Sequence, residues 1–366
     1  MIPFFNIDAE NAPYAKKFTQ ELQLFMQSGQ YILRDAVKTF EAQYAAFCGT
    51  NFCIGTSNGL DALRLIFEGY KELGLINKGD EVLVPAHTYI ATILAVVHAG
   101  LKPVFIEPDA TGFGMSLVEA KKHITSKTKA CLVVHLYGEL VTIEGFKAFA
   151  KQSNILLIED AAQAHGAVSQ NGQKAGAFGD AAAFSFYPAK NIGALGDAGA
   201  VTTNDVELAK IISSLRNYGS SEKYINEYIG FNMRMDALQA RFLSIKLSNY
   251  PTAIKLRQQI ASRYLIETKN PKIVLPTHPG DNSHVFHLFV VQVQKRNHFM
   301  DFMKKHGIQC LIHYPIPPHK QQALKTYEGL SLPITESYHD SVVSIPLYPS
   351  LSEADQRHII NVLNSY

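Results

Sequence analysis

The chain has 366 residues, long enough at about 150 residues per domain for two domains or one large domain with an appendage. Its 47% hydrophobic and 18% charged residues are those of a folded globular protein, and 34 Lys plus Arg against 32 Asp plus Glu leave a net charge of only +2, without the basic stripe that nucleic-acid binding requires. The opening MIPFFNIDAENAPYAKKF is no basic-then-apolar leader, no apolar run nears the ~18 residues of a membrane span, and the four cysteines are too dispersed for a disulfide framework, so a cytoplasmic protein with neither membrane nor nucleic-acid partners is expected.

Short apolar runs alternate with longer amphipathic stretches. Strands are predicted at Glu81–Val84, Pro103–Ile106, Ala130–His135, Ile155–Ile158, Ala181–Phe186 and Gly199–Thr203. Helical spacing falls between several of them, at Asp61–Leu73, Ile90–His98 and Ile143–Lys151. Strand alternating with helix predicts a parallel α/β sheet covered on both faces, and the unbroken ILLI at 155–158 fits a strand buried on both sides. Beyond Arg234 the pattern changes. One long helix is predicted over Asp236–Leu247, ending before Tyr250-Pro251, and a βαβ-like tail opens with His284–Val293 and closes with a helix at Ser352–Leu363. A domain boundary is placed near Asn249.

Ligands of open α/β sheets bind beyond the carboxyl ends of the strands, so the residues that follow each run are the candidates. They include Glu159, Asp160 and Gln163; Ser185, Tyr187 and Lys190; and His87, Thr88 and Tyr89. Gly55-Thr56-Ser57-Asn58-Gly59-Leu60-Asp61 opens a helix and supplies free amides for a phosphate, or is a plain N-cap. No GxGxxG and no Walker loop occurs. Lys190, among small and apolar residues, is either a desolvated nucleophilic amine or a solvated loop lysine. Asp160, after four apolar residues, is either a partnered carboxylate or an N-cap. Pyridoxal phosphate would use all of them, since it needs a lysine, an acid for its pyridine nitrogen, a phosphate cradle and a stacked ring. His313 and His319 flank a Pro-rich turn without a third suitably spaced ligand, so no metal is expected. Phe289 and Tyr348 are read as packing residues.

IEDAAQAHGA (158–167), FSFYPAKNIGALGDAGAVTTND (184–205) and GFNMRMDALQA (230–240) resemble the DegT/StrS-type sugar aminotransferases. The resemblance continues through SGQYIL (28–33), GTSNGLDAL (55–63), IHYPIPPH (312–319) and SIPLYPSLS (344–352), spanning nearly the whole chain in order. It implies a fold-type-I pyridoxal-phosphate enzyme, aspartate-aminotransferase-like. Such a chain has a mostly parallel seven-stranded sheet in a large domain, here 1–249, and a small C-terminal α/β domain, here 250–366. PAHTYIATILAV (85–96), GLKPVFIEPD (100–109) and VVHLYG (133–138) look most like the branch that makes dTDP-3-amino-3,6-dideoxyhexoses from 3-keto-6-deoxy sugars, with L-glutamate as donor.

Carried over position by position, the resemblance implies that Lys190 bonds the cofactor and that Asp160 pairs with its pyridine nitrogen. Gln163 would contact the phenolic oxygen and Tyr89 would lie over the ring. Ser185 and the amides of Gly59 and Leu60 would hold the phosphate, with Asn232 reaching it from a second subunit of a homodimer. Tyr187, His313, Tyr314 and His319 are the expected substrate contacts. Arg34 stands where the family commonly has glycine, and Glu139 where it has glutamine, which would add a charge near the site. The alternatives are a C4-specific nucleotide-sugar aminotransferase, a sugar dehydratase, disfavoured by the presence of Lys190, and a non-catalytic regulatory member of the same fold.

Overall fold

In the computed structural model, which describes residues 1–277 and 280–366, seven strands form the large sheet. In chain order they are β1 (Phe52–Thr56), β2 (Glu81–Pro85), β3 (Lys102–Ile106), β4 (Thr128–Val134), β5 (Leu156–Asp160), β6 (Ala181–Ser185) and β7 (Gly199–Thr203). Their spatial order is β1-β7-β6-β5-β4-β2-β3. The pairs from β6 to β3 run parallel, and β7 alone lies antiparallel to its neighbours β6 and β1.

Burial on both faces explains the continuous apolar runs. Side chains alternate across the sheet: Val82, Val84, Ala130, Leu132 and Ile158 enter one core, while Leu83, Cys131, Val133 and Leu157 enter another on the opposite face. The same alternation parts Ala181 and Ala183 from Ala182 and Phe184. β1 has no signature in the sequence because the five residues of FCIGT include a glycine, which packs closely on Met235: a Cβ at Gly55 would sit 3.1 Å from that side chain.

The helix predicted over Asp236–Leu247 does not stop at Tyr250-Pro251. It runs from Ala237 to Glu267 through Pro251. Packing on both sides of the proline holds it together, since Leu247 and Tyr250 belong to the core behind β6 while Ile260, Ala261 and Tyr264 belong to a separate C-terminal core. We propose that the division between the large and small parts falls along this helix.

After the large sheet come the short hairpin strands β8 (Ser220–Glu222) and β9 (Ile225–Asn226). The tail contains β10 (Phe289–Gln292) and β11 (Val342–Ile345), which pair antiparallel. It is therefore not the βαβ unit expected from the sequence. Helices Arg296–Lys305 and Glu353–Ser365 complete it. The first residues cross over to this part: Ile2 bridges Ile308 and is buried in the C-terminal core. No helix among the described residues is long and apolar enough to cross a membrane.

Candidate active site

At the carboxyl ends of β2, β4, β5 and β6 lies a cavity of about 530 Å³, with Lys190, Asp160, Gln163 and Ser185 in its wall. Alternation along β5 decides which of its two acids faces it. Glu159 points the other way, wholly buried, and accepts from the amides of Gly176, Phe178 and Gly179 at 2.8–2.9 Å as well as from His135. Asp160 faces the cavity. Its Oδ2 accepts from the Thr92 hydroxyl at 2.8 Å and its Oδ1 from the Ala162 amide at 3.2 Å. Burial raises its pKa, opposed by those donors and by the charge of Lys190.

Lys190 ends the turn that follows β6, where its amide donates to the Tyr187 carbonyl at 2.7 Å. Desolvation lowers its amine to about 8, with Asp160 pulling the other way. Gln163 is fixed at both ends: its Oε1 takes the Tyr137 amide at 2.5 Å and its Nε2 donates to the Tyr314 hydroxyl at 3.1 Å. The Tyr314 ring lies 5.0 Å from that of Tyr89, which caps the helix Ile90–His98 at the cavity rim. Burial holds the neighbouring histidines neutral, with His313 lowered to about 4 and His165 to about 3.

The end of the cavity at Ser185 is built by steric closeness. The helix Gly59–Glu72 starts from Asn58, whose Oδ1 caps the Asp61 amide at 2.9 Å. Gly59 and Leu60 line the cavity, and their amides lie in the first turn, where the helix offers them no acceptor of its own and its dipole favours an anion. A Cβ at Gly59 would lie 2.8 Å from the Ser185 Cβ, and one at Gly199 would lie 2.3 Å from the Asn58 carbonyl. Helix start and strand end are therefore pressed together, with the Ser185 hydroxyl beside two free amides. This cradle fits a phosphate, and a buried carboxylate across the cavity from a desolvated lysine fits a pyridinium ring between them.

Of the residues expected from the sequence, Gly59, Leu60, Tyr89, Asp160, Gln163, Ser185, Tyr187, Lys190, His313 and Tyr314 line this one cavity. Two do not. Asn232 is exposed, in a backbone bridge with Asn217 outside the cavity. His319 is wholly buried and bonds Glu336 at 3.0 Å through Nε2; its place is in packing, not at the substrate, because burial in the C-terminal part removes it from the cavity. Glu139 also lies elsewhere, in a side crevice with Asp109 and Thr142, where burial and then Asp281 raise its carboxyl to about 7. The charge expected near the site is not in the cavity. Arg34 holds a left-handed φ of 64°, the conformation that favours glycine.

Sequence reasoning missed Thr92, His287 and Asn191. Thr88 and Thr92 are four residues apart and share a hydrogen bond of 2.9 Å, a spacing visible in PAHTYIAT. His287 lines the cavity and bonds Asn191 at 2.8 Å; no pattern in the chain joins the two.

The whole chain is similar to known proteins. The profile of the DegT/DnrJ/EryC1/StrS aminotransferase family matches residues 13–364. The dTDP-3-amino-3,6-dideoxy-alpha-D-galactopyranose transaminase of Aneurinibacillus thermoaerophilus is 48% identical, over 100% of this chain and 99% of its own. The crystal structure of DesV from S. venezuelae superposes with a TM-score of 0.95 at 38% identity, covering 100% of this chain and 98% of that one. The Bacillus subtilis NtdA structure, solved with its cofactor PMP bound, has a TM-score of 0.90 at 30% identity, covering 99% and 84%. The chain belongs to the DegT/DnrJ/EryC1/StrS family of aminotransferases, which use pyridoxal phosphate.

Proposed function

We propose that the protein transfers an amino group from L-glutamate to a dTDP-linked 3-keto-6-deoxyhexose, producing a dTDP-3-amino-3,6-dideoxyhexose. The observation that carries this reading is the convergence of Lys190, Asp160, Gln163, Ser185 and the Gly59–Leu60 amides on one cavity. Likeness to the 3,6-dideoxygalactose transaminase supports the choice of sugar. Pyridoxal phosphate, when bound, supplies an electron sink that stores the amino group between the two halves of the reaction.

The chain's own residues divide the remaining work. The Gly59 and Leu60 amides with Ser185 would hold the phosphate. Asp160, kept in place by Thr92 and Ala162, would hold the proton on the pyridine nitrogen. Gln163 would offer its amide to the phenolic oxygen, and Tyr89 would cover the ring. The lowered amine of Lys190 is poised to take the proton from the donor's α-carbon and to return one to the sugar carbon that gains nitrogen. Tyr187, His313 and Tyr314 line the side on which the sugar would sit.

The reading includes a cytoplasmic homodimer in which Asn232 of one subunit completes the other's phosphate site, serving the synthesis of a cell-surface polysaccharide. Exposed apolar residues shortly before Asn232 in the chain support the dimer: Tyr224 is 88% and Ile229 94% exposed on and beside the β8–β9 hairpin. Incubation with glutamate and a panel of dTDP- and UDP-keto-sugars, read by mass spectrometry, tests the function. A product one amine heavier from the dTDP-3-keto-6-deoxy sugar is expected; amination of a 4-keto sugar alone, or of no sugar, would overturn it.

A further inference from the structure

Behind the site, sharing Tyr187, Ala189, His287 and His313 with it, is a second cavity of about 410 Å³. Its walls are mostly apolar, with Phe4, Phe5, Leu288, Leu311 and Leu347 among them, and Arg257 stands in its wall. Arg257 is 2% exposed. Only its Nη1 is engaged, donating to the carbonyls of Phe286, His287 and Leu347 at 3.2–3.4 Å. Its Nε and Nη2 have no acceptor among the described residues, and no carboxylate of those residues comes within the 4.0 Å of an ion pair. Glu10 is the acid whose charge it feels, but Glu10 is held by the Ser350 amide at 2.9 Å.

Removing a guanidinium from water without an anionic partner is costly. The planar fork of Arg matches a carboxylate with two parallel donors. We infer that the free edge of Arg257 binds a carboxylate of the dicarboxylic amino donor, whose methylenes lie along the apolar walls on the way to Lys190. A diphosphate is the other anion in the proposed reaction. It carries two or more charges and many acceptors, and this cavity offers Arg257 as its single cation, with Tyr187, Gln309 and the neutral His287 and His313 set among apolar walls. Arg257 thus has two edges with two tasks. Nη1 ties down the 286–287 backbone, and the opposite edge reads the donor.

The inference rests on the donor half of the proposed reaction and is tested by binding as well as by turnover. Calorimetry with glutarate, an unreactive dicarboxylate, on the cofactor-loaded protein should show affinity falling about ten- to a hundredfold in Arg257→Gln. Affinity for dTDP in the same variant should stay within about twofold. The amino-donor half-reaction should slow while amine return from the amino-sugar product does not. Should Arg257→Gln fail to fold, Leu311→Glu, at a wall position 40% exposed, puts a competing carboxylate into the cavity and should weaken glutarate by a similar factor. Unchanged glutarate affinity in a folded variant, or equal loss of glutarate and dTDP, overturns the subsite. Amino transfer from glutamate that ignores both substitutions leaves the reaction standing without the subsite. Glutarate binding through Arg257 with no transfer from glutamate leaves the subsite and removes the reaction.

Discussion

Replacing Lys190 by methionine in the cofactor-free protein should stabilise it. The amine is lowered from 10.5 to about 8, chiefly by desolvation. Each pH unit of such lowering is worth about 1.4 kcal/mol, so the charged form costs the native state about 3 kcal/mol. The sign follows from proton linkage. Below pH 8 the amine is charged in both states and the native state bears the whole cost. Between about 8 and 10.5 the unfolded chain holds more protons, so wild-type stability climbs relative to the variant. Above 10.5 both states are neutral and the cost is gone. Urea unfolding of wild type and Lys190→Met at pH 7 and pH 11 reads this directly. The variant should be more stable by roughly 2–3 kcal/mol at pH 7, since losing the partner of Asp160 takes back part of the gain. Little difference should remain at pH 11. No gain at pH 7, or the same gain at both values, would refute a desolvated amine.

Asp160→Asn should keep its cofactor and lose turnover by about 100-fold or more, because an amide cannot hold the pyridinium proton; near wild-type turnover would remove the acid from its role. Gly59→Ala, whose new Cβ would meet Ser185 at 2.8 Å, should weaken cofactor binding by about tenfold, the worth of one hydrogen bond to an ionised phosphate. Spectroscopic titration of the apoenzyme checks this, and unchanged affinity would show that the helix start does not touch the phosphate. Mixing inactive Lys190→Ala and Asn232→Leu chains should restore activity to about a quarter of wild type, since half of the dimers are mixed and one of their two sites has both residues. Verified mixed dimers without recovery would place Asn232 outside the partner's site.

What the sequence made legible was whatever is local along the chain. Strand ends follow from apolar runs, so Asp160, Ser185 and Lys190 could be placed at the sheet's carboxyl edge before their distances were known. The antiparallel β7 could not, because nothing in the residues of GAVTT marks a strand's direction in the sheet and only its partners, Thr203↔Ala181 and Thr203↔Phe52, fix its sense. The continuous helix through Pro251 defied a rule of local chemistry. Two cores clamp it on either side of the break, and a tertiary effect of that kind leaves no mark in a window of residues. His319 failed for the converse reason: His313 and Tyr314 of IHYPIPPH line the cavity, while a short Pro318–Lys320 helical turn at the end of the motif buries His319, which bonds Glu336.

The histidines show most clearly what only the folded chain supplies. His165 bonds the Ser185 carbonyl at 3.0 Å through Nε2, and a carbonyl can only accept, so the proton is on Nε2. Its Nδ1 must then accept from the Tyr44 hydroxyl at 2.6 Å. The Tyr250 hydroxyl donates to the His165 carbonyl at 2.6 Å and accepts from the Asn191 amide at 3.2 Å. With its nitrogen so engaged, Asn191 turns its oxygen to His287, whose Nδ1 donates to it at 2.8 Å. Every bond has one direction. The chain runs from the 287 backbone that Arg257 holds, through the residue next to Lys190, to the carbonyl of Ser185 at the phosphate end. Protonating His165 would put a donor against the Tyr44 hydroxyl and reverse a link of that chain. Burial, which lowers His165 to about 3 and His287 well below its ordinary value, is what keeps the chain in one direction. Bonds between residues 20 to 121 positions apart in the sequence thereby join the backbone at 287, the residue after Lys190 and the end of β6 at Ser185 into one hydrogen-bonded chain.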